Sequence, residues 1–143
     1  MAKDILVVDD SATIRAMIKR TVRMIDLDVG EIYEAANGIE ALAQLADHEI
    51  ALLVVDINMP MMDGIQLLSR MKQNDRLKHM PIVIASTEGS AQRIQQLNEL
   101  GIAGYVRKPF QPEQLREVLL PLLGVLQNAG TTDTESDTDD GLF

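Results

Sequence analysis

The sequence predicts an α/β fold in which a doubly wound, five-stranded parallel sheet is covered by five helices. Two patterns alternate along the 143 residues. Short apolar runs recur, and they are continuous rather than alternating, which is typical of strands buried on both faces. Between them lie segments with apolar residues at i, i+3, i+4 and i+7, the spacing of one helix face. Five such units are too few for an eight-stranded barrel, so an open sheet is favoured.

The five strands are predicted at the apolar runs. The strongest lie at residues 5–8, 51–55 and 82–85, where Ile, Leu and Val dominate, and two weaker ones lie at 31–35 and 103–106. Helical crossovers between parallel strands are almost always right-handed, which leaves few topologies. In an open sheet of this kind, ligands bind beyond the carboxyl ends of the strands. The residues that follow each apolar run are therefore the candidates for function.

Helix starts are indicated by capping residues ahead of the apolar stripes. Asn37 and Glu40 have the spacing of a capping box, and Asp63 and Gln66 repeat it before the third helix. Ser90 is suited to cap the fourth helix. Side-chain oxygens at such positions accept hydrogen bonds from the free N–H groups of the first helical turn. The starts of these three helices are therefore predicted.

Features of the last two helices are also indicated. Gly101 is placed to end the fourth helix, because glycine adopts the left-handed backbone of a helix end at little cost. The fifth helix is predicted to begin near Pro112, where the missing N–H does no harm. Its apolar stripe continues to Leu126, and Pro121 within the stripe is predicted to kink the helix or to end it early.

Composition and charge narrow the classes of function. The chain length suits one domain, and the absence of cysteine rules out disulfides and thiolate metal sites. A formal net charge of −9 without a basic stripe argues against direct binding of nucleic acid. No apolar run is long enough for insertion into a membrane, and no signal peptide is evident at the start. A cytoplasmic protein is expected.

The last residues differ in composition from the rest. Residues 128–143 are rich in Thr, Asp and Gly, and they carry five acidic side chains but no Lys or Arg. Such a segment buries too little apolar surface to offset the entropy cost of ordering it. The sequence therefore predicts a folded domain over residues 1–127 and a disordered acidic tail over 128–143.

Polar side chains stand at the ends of four predicted strands. Asp9 and Asp10 follow the first strand, Asp56 follows the third, Ser86 follows the fourth, and Lys108 follows the fifth. Because the carboxyl ends of parallel strands meet at one edge, we expect these side chains to converge. Crowded carboxylates repel one another, and Mg²⁺, which prefers oxygen ligands, relieves that repulsion. A lysine and a hydroxyl opposite the acids suit an incoming phosphoryl group.

Taken singly, each of these residues has an ordinary structural explanation. Asp9 and Asp10 can stabilise the first turn of a helix through its dipole. Asp56 can be a turn residue, and Lys108 can be a solvated surface charge. It is their occurrence together, at four separate strand ends, that favours a metal-assisted phosphoryl site.

These residues lie in four segments that together resemble the receiver domains of two-component response regulators, and among them the stand-alone, CheY-like regulators. The resemblance runs from about Lys3 to Leu126. It implies the flavodoxin-like strand order 2-1-3-4-5, which flavodoxin and CheY share. The segments are 5–11, 55–64, 81–86 and 101–110, of which the second and fourth are the most specific in combination.

The resemblance implies a role for each acidic residue. Asp56 matches the phosphoacceptor, which takes a phosphoryl group from a sensor histidine kinase or a phosphotransfer protein. Asp10 and Asp56 match direct Mg²⁺ ligands, together with the backbone carbonyl of Asn58, whereas Asp9 is expected to act through a bound water. The protein is then a signalling switch rather than an enzyme, and it promotes only its own phosphoryl transfer and dephosphorylation.

The resemblance also implies how the switch responds. Lys108 matches the lysine that pairs with a phosphoryl oxygen, and its peptide bond to Pro109 is expected to be cis. Ser86 takes the place of the hydroxyl that moves to bond the phosphoryl group, and Tyr105 that of the aromatic that then turns inward. The change is expected to reach a docking face for a target protein, formed by the fourth helix, fifth strand and fifth helix. Chemotaxis is one pathway for such a protein.

Some positions depart from the commonest pattern of that family. Ser86 stands where Thr is more frequent, which keeps the hydroxyl but loses rotamer stiffness. Thr87 stands where a small residue is common, and its bulk is expected to narrow access to Asp56. Asn58 and Glu88 match a pair that by analogy positions an attacking water, so a short-lived phosphoryl state is expected.

Three other functions stay open on the residues. A Mg²⁺-dependent aspartyl-phosphate phosphatase would use Asp56 as its nucleophile, but it would carry a second Asp where Asn58 stands. A nucleotide- or flavin-binding module would need a Gly-rich phosphate loop after the first strand, where Asp9 and Asp10 lie instead. A receiver-like interaction module that is never phosphorylated would have no need for the acids, the hydroxyl and the lysine together.

Overall fold

A computed structural model describes residues 3–25, 28–87 and 90–124 of the chain. Within these ranges strands and helices alternate as predicted. In chain order they are β1 (Lys3–Val8), α1 (Ala12–Met24), β2 (Val29–Ala35), α2 (Gly38–Asp47), β3 (Leu52–Val55), α3 (Gly64–Lys72), β4 (Ile82–Ser86), α4 (Ala91–Glu99), β5 (Gly104–Arg107) and α5 (Pro112–Leu123). None of the helices in this part of the chain is long and apolar enough to cross a membrane. Glu88 and the predicted tail over 128–143 lie outside the described residues.

The strands form one parallel sheet with the order β2-β1-β3-β4-β5, which confirms the predicted topology. Val8, at the end of β1, pairs with Ala35 on one side and with Val55 on the other. The carboxyl ends of these three strands therefore lie at one level of the sheet. The N–H of Asp56 donates to the carbonyl of Val8 at 2.9 Å, which extends the pairing of β1 and β3 by one residue.

Apolar side chains form one cluster on each face of the sheet. Successive strand residues point to opposite faces, so Ile5 and Val7 pack with α1 and α5. Leu6 and Val8 pack instead with α2, α3 and α4. All four side chains are at most 1% exposed. This burial on both faces explains why the strand sequences are continuous apolar runs.

The predicted starts of α2 and α3 are confirmed by their hydrogen bonds. Asp63 accepts from the N–H of Gln66 at 2.9 Å, and the Gln66 side chain accepts from the N–H of Asp63 at 3.1 Å. At α2, Asn37 accepts from the N–H of Glu40 at 2.9 Å. The Glu40 carboxylate accepts from Ala36 at 2.8 Å, one residue earlier than a capping box requires.

Both ends of α4 lie where they were predicted, and α5 ends before its apolar stripe does. Ser90 caps α4 by accepting from the N–H of Arg93 at 3.2 Å. Gly101, with a φ of 83°, follows its last turn as predicted. α5 continues through Pro121 and ends two residues later at Leu123, short of Leu126, and an early end is one of the two effects predicted for Pro121. Pro121 is exposed, whereas the helix is anchored by the buried side chains of Leu115, Leu119 and Leu123.

Strand bounds differ from the prediction by one or two residues. β2 begins at Val29 rather than at residue 31, because Val29 pairs with Lys3 across a shift in register. At the other edge, β4 and β5 extend to Ser86 and Arg107, which pair with one another. Hydrogen bonding to a neighbouring strand, rather than the apolar character of the segment, sets these limits.

Candidate functional site

Three carboxylates meet at the carboxyl edge of the sheet. Asp9 directly follows β1 and Asp56 directly follows β3, so the pairing of these strands brings the two residues side by side. One oxygen each from Asp9, Asp10 and Asp56 lie within 4.8 Å of one another. Asp9 and Asp56 are buried, whereas Asp10 is exposed. The structure thus gathers the three acids that the sequence placed at strand ends.

Lys108 faces these carboxylates from the end of β5. Its Nζ lies 2.5 Å from Asp9 Oδ2 and 3.7 Å from Asp56 Oδ2, so it forms an ion pair with each. Only 11% of the Lys108 side chain is exposed, and burial strengthens such pairs relative to those on the surface. Its N–H donates to the carbonyl of Ser86 at 2.9 Å. The peptide bond from Lys108 to Pro109 is cis, as expected.

The charge on Asp56 is costly to hold in this position. Burial raises the pKa of the Asp56 carboxyl above its ordinary value, and the negative charge of Asp9 raises the pKa further. The positive charge of Lys108, a hydrogen bond from the Ser86 side chain and one from the Asn58 backbone act in the opposite direction. Because the pKa is raised on balance, the ionised carboxylate lowers the stability of the folded protein.

Replacing Asp56 by Asn is therefore expected to raise the unfolding temperature of the metal-free protein at neutral pH. A carboxyl whose folded-state pKa is raised destabilises the fold at pH values above that pKa. The difference between variant and wild type shrinks as the pH falls through the raised pKa, and it vanishes below the ordinary value of 3.8. Thermal unfolding in EDTA over this range measures the effect. An Asp56→Asn variant that melts below the wild type at neutral pH would contradict it.

Gly64 holds the start of α3 against the backbone of Asp56. The N–H of Gly64 donates to the carbonyl of Ile57 at 2.8 Å. A Cβ at position 64 would lie 2.5 Å from the carbonyl oxygen of Asp56 and 2.9 Å from Cα of Ile57. Only glycine permits this approach. The sequence indicated Asp63 as the cap of this helix but gave no signal for the contact that Gly64 makes.

Ser86 and Tyr105 lie on the neighbouring strands β4 and β5. Ser86 is completely buried, and its side chain hydrogen-bonds to Asp56. Tyr105 pairs in register with Ile84, its ring packs against the cluster shared by α2, α3 and α4, and its hydroxyl is buried. Thr87 is exposed beside the site. The switch roles of Ser86 and Tyr105 stay predictions.

Arg15 reaches the same edge of the sheet from α1. Its Nη1 donates to the carbonyl oxygen of Asp9 at 2.7 Å, and its Nε donates to Glu34 at 2.9 Å. Sequence reasoning missed this residue. One signal was available. Ser11 caps α1 by accepting from the N–H of Ile14, so Arg15 lies one turn into the helix that directly follows Asp9 and Asp10.

Comparisons with known proteins bear on this site. The family model of the response regulator receiver domain matches residues 5–120. A "Chemotaxis protein CheY homolog" from Campylobacter jejuni is 35% identical over 130 residues, which cover 90% of this chain and 98% of the relative. "Chemotaxis protein CheY" from Pseudomonas aeruginosa is 40% identical over 113 residues, which cover 79% of this chain and 90% of the relative. The solved structure of chemotaxis protein CheY4 from Vibrio cholerae has a TM-score of 0.77 at 32% identity, covering 86% of this chain and 100% of that one.

The matched region contains every residue of the site described above. The relatives cover most of this chain and are covered almost completely by it. These findings do not favour the aspartyl-phosphate phosphatase or the receiver-like module that is never phosphorylated. Proteins of the matched kind interact with histidine kinases and with downstream targets, and they act as signalling switches. The chain therefore belongs to the response regulator receiver domain family, and it is a phosphorylation-activated response regulator of two-component signalling.

Proposed function

We propose that Asp56 accepts the phosphoryl group in a Mg²⁺ site that it forms with Asp10 and the backbone carbonyl of Asn58. Asp9 acts on the ion through a bound water, and Lys108 faces the site from β5. One observation carries this proposal. The three acids offer oxygens within 4.8 Å of one another, and the Lys108 amine lies 3.7 Å from Asp56 Oδ2.

The donor set fits a Mg²⁺ ion. Mg²⁺ takes oxygen ligands, usually one or two carboxylates from the protein, and keeps several of its waters. Asp9 and Asp56 are buried and Asp10 is exposed, so water can reach the cluster at Asp10. The negative charge of Asp9 contributes to the raised pKa of Asp56. A divalent cation offsets this repulsion between the acids. When bound, Mg²⁺ neutralises negative charge on the phosphoryl oxygens.

The transfer forms one bond and breaks one. An oxygen of the ionised Asp56 carboxylate attacks the phosphorus of a phosphohistidine on a sensor histidine kinase or phosphotransfer protein. The O–P bond forms as the P–N bond breaks, and the electron pair of that bond returns to the imidazole. Lys108 pairs with one phosphoryl oxygen and the Ser86 hydroxyl donates to another. Both groups already contact Asp56, which supports these roles.

The chain acts only on itself, promoting its own phosphoryl transfer and later loss of the group. Hydrolysis requires water at the phosphoryl group, and Asn58 is exposed beside Asp56. We expect the phosphorylated protein to be short-lived for that reason. The partner predicted for Asn58, Glu88, lies outside the described residues.

Lys108 links the site to the switch. It lies 2.5 Å from Asp9 but 3.7 Å from Asp56, so new anionic oxygens on Asp56 change the balance between its two contacts. The N–H of Lys108 is bonded to the carbonyl of Ser86, which joins the ends of β5 and β4. A displacement of Lys108 and Ser86 toward the phosphoryl group is therefore transmitted to both strands. The group shifts the equilibrium only through contacts that differ between the two states.

The docking face for the target protein is formed by α4, β5 and α5. β5 is an edge strand of the sheet, and α4 buries a single residue, Leu97, so this side of the molecule is accessible and lightly anchored. Tyr105 lies on β5 within this face. The relatives named as chemotaxis proteins support a target in chemotaxis. We place this signalling in the cytoplasm, with no direct binding of nucleic acid and no insertion into a membrane.

The switch is tested with Mg²⁺ and beryllofluoride, a mimic of the phosphoryl group, added to ¹⁵N-labelled protein. Amide resonances are expected to shift around Asp56 and also along α4 and β5. The Ser86→Ala variant is expected to bind the mimic but to lose most of the shifts along α4 and β5, because its buried hydroxyl is absent. Ser69→Ala, on α3, is the matched control and keeps the wild-type pattern.

Two results would count against these proposals separately. Wild-type shifts that stay confined to the loops around Asp56 would contradict the docking face. An absence of any shift when Mg²⁺ and beryllofluoride are both present would contradict the phosphoryl site itself.

A further inference from the structure

Asp9 is held by a contact at each of its polar atoms. Its N–H donates to the carbonyl of Ala35 at 3.0 Å, and its Oδ1 accepts from the N–H of Ser11 at 2.9 Å. Its Oδ2 accepts from Lys108 at 2.5 Å. The remaining atom, the carbonyl oxygen, accepts from Nη1 of Arg15 at 2.7 Å. Arg15 is therefore the residue that sets the direction of the Asp9 carbonyl.

That carbonyl belongs to the peptide group that joins Asp9 to Asp10. A peptide group is planar, so fixing the direction of its oxygen also fixes the direction in which the chain enters Asp10. Asp10 is exposed, and packing around its side chain does little to place it. Because Ser11 and Lys108 already hold the Asp9 carboxylate, the contact from Arg15 bears mainly on how Asp10 is directed toward the cluster.

Arg15 is itself held in place by Glu34, near the end of β2. Nε of Arg15 lies 2.9 Å from Oε1 of Glu34, and the Arg15 side chain is 17% exposed. The second carboxylate oxygen of Glu34 accepts from Nζ of Lys19 at 2.9 Å, one turn further along α1. Hydrogen bonds from Lys19 and Arg15 lower the pKa of Glu34, so it stays ionised at neutral pH. The guanidinium is therefore held by two acceptors: Nε donates to Glu34, and Nη1 donates to the Asp9 carbonyl.

We propose that Arg15 is a positioning residue for the metal site, holding the peptide between Asp9 and Asp10 so that the Asp10 carboxylate faces the cation beside that of Asp9. This inference rests on the proposed function, because it assumes that Mg²⁺ binds at the acidic cluster. Groups that stand behind metal ligands act by orienting them, and their loss typically weakens metal binding about 10- to 100-fold. Arg15 acts through the backbone and touches neither the phosphoryl group nor the ion.

The sign of the effect distinguishes positioning from simple charge. Arg15 is a cation close to an acidic cluster, so Coulomb's law alone predicts that removing its charge tightens Mg²⁺ binding. Positioning predicts that the same change weakens binding. Lys19 is the matched control. It pairs with the same Glu34, but the hydrogen bond to the Asp9 carbonyl comes from Arg15. Lys19→Gln removes the same charge and leaves that hydrogen bond in place.

The test measures metal affinity in the full chain, with Mn²⁺ followed by electron paramagnetic resonance and displaced by Mg²⁺. Arg15→Gln is expected to weaken Mg²⁺ binding about tenfold. Arg15→Lys keeps the charge but lacks the fork that donates to two acceptors at once, and it is expected to weaken binding about threefold. Lys19→Gln is expected to stay within about twofold of wild type or to bind more tightly.

The outcomes separate this inference from the function on which it rests. A wild-type protein that takes up no Mg²⁺ would overturn the proposed function. A wild type that binds Mg²⁺, together with an Arg15→Gln variant that unfolds cooperatively and binds it equally or more tightly, would overturn the role of Arg15 alone. Should Arg15→Gln fail to fold, Arg15→Lys decides, because wild-type affinity in that variant would show that the two-acceptor geometry of the guanidinium is not needed and would overturn the role of Arg15.

Discussion

The Asp56→Asn variant is expected to take up no phosphoryl group from acetyl phosphate, under conditions in which the wild type is labelled with Mg²⁺ but not in EDTA. An amide is far less nucleophilic than a carboxylate, and it removes a negative charge from the cluster that binds the cation. The side chain of Asn is almost the same size, so the packing around this buried position is kept. Mass spectrometry of the intact chain measures the extent of labelling.

Asp63→Asn is the matched control for this experiment. Asp63 caps α3 by accepting from the N–H of Gln66, and Asn is an equally good cap, so the fold is preserved. The control changes Asp to Asn seven residues further along the chain and is expected to be labelled as the wild type is. Labelling of Asp56→Asn at the wild-type level, or equal loss in both variants, would refute the assignment of Asp56.

The strands and their order could be predicted because burial on both faces leaves a direct trace in the sequence. Leu6 and Val7 face opposite helical layers, so the run that contains them has no polar alternation. The start of β2 could not be predicted in the same way. Val29 belongs to the strand because it pairs with Lys3, and pairing between distant segments has no local signature.

The acids, the serine and the lysine of the site could be located because each stands at the end of a strand. Their roles depended on the family resemblance rather than on position. The supporting residues were hidden for a different reason, because their contacts are made in space. Arg15 looks like an ordinary surface residue of a helix, yet it binds the carbonyl of Asp9. The backbone of the loop after Asp56 was hidden as well. Met61 adopts a left-handed φ of 68° there, and methionine is not a residue type that predicts this conformation.

Gly64→Ala is expected to destabilise the protein and to disturb Asp56 at the same time. The added Cβ would meet the carbonyl oxygen of Asp56 at 2.5 Å, and that atom is backbone, which cannot rotate away. α3 must therefore retreat from β3, which breaks the hydrogen bond from the N–H of Gly64 to the carbonyl of Ile57. Overpacking of this kind costs about 1–3 kcal/mol, to which the lost hydrogen bond adds about 1 kcal/mol. Denaturant unfolding measures the stability, and acetyl phosphate labelling measures the effect on the site.

Gly38→Ala provides the matched comparison, because Gly38 and Gly64 both directly follow the capping residue of a helix. A Cβ at position 38 would also be crowded, but its neighbours at 2.5 to 2.9 Å are side-chain atoms of Met62. The Cγ and Sδ atoms of Met62 can rotate aside, whereas its Cβ, at 2.9 Å, moves only with the loop that carries it. This variant is therefore expected to lose about 1–2 kcal/mol, less than Gly64→Ala. Labelling of Asp56 is expected to fall in Gly64→Ala but not in Gly38→Ala. Equal loss of stability in the two variants would mean that close contact with the Asp56 backbone is not what requires glycine at position 64.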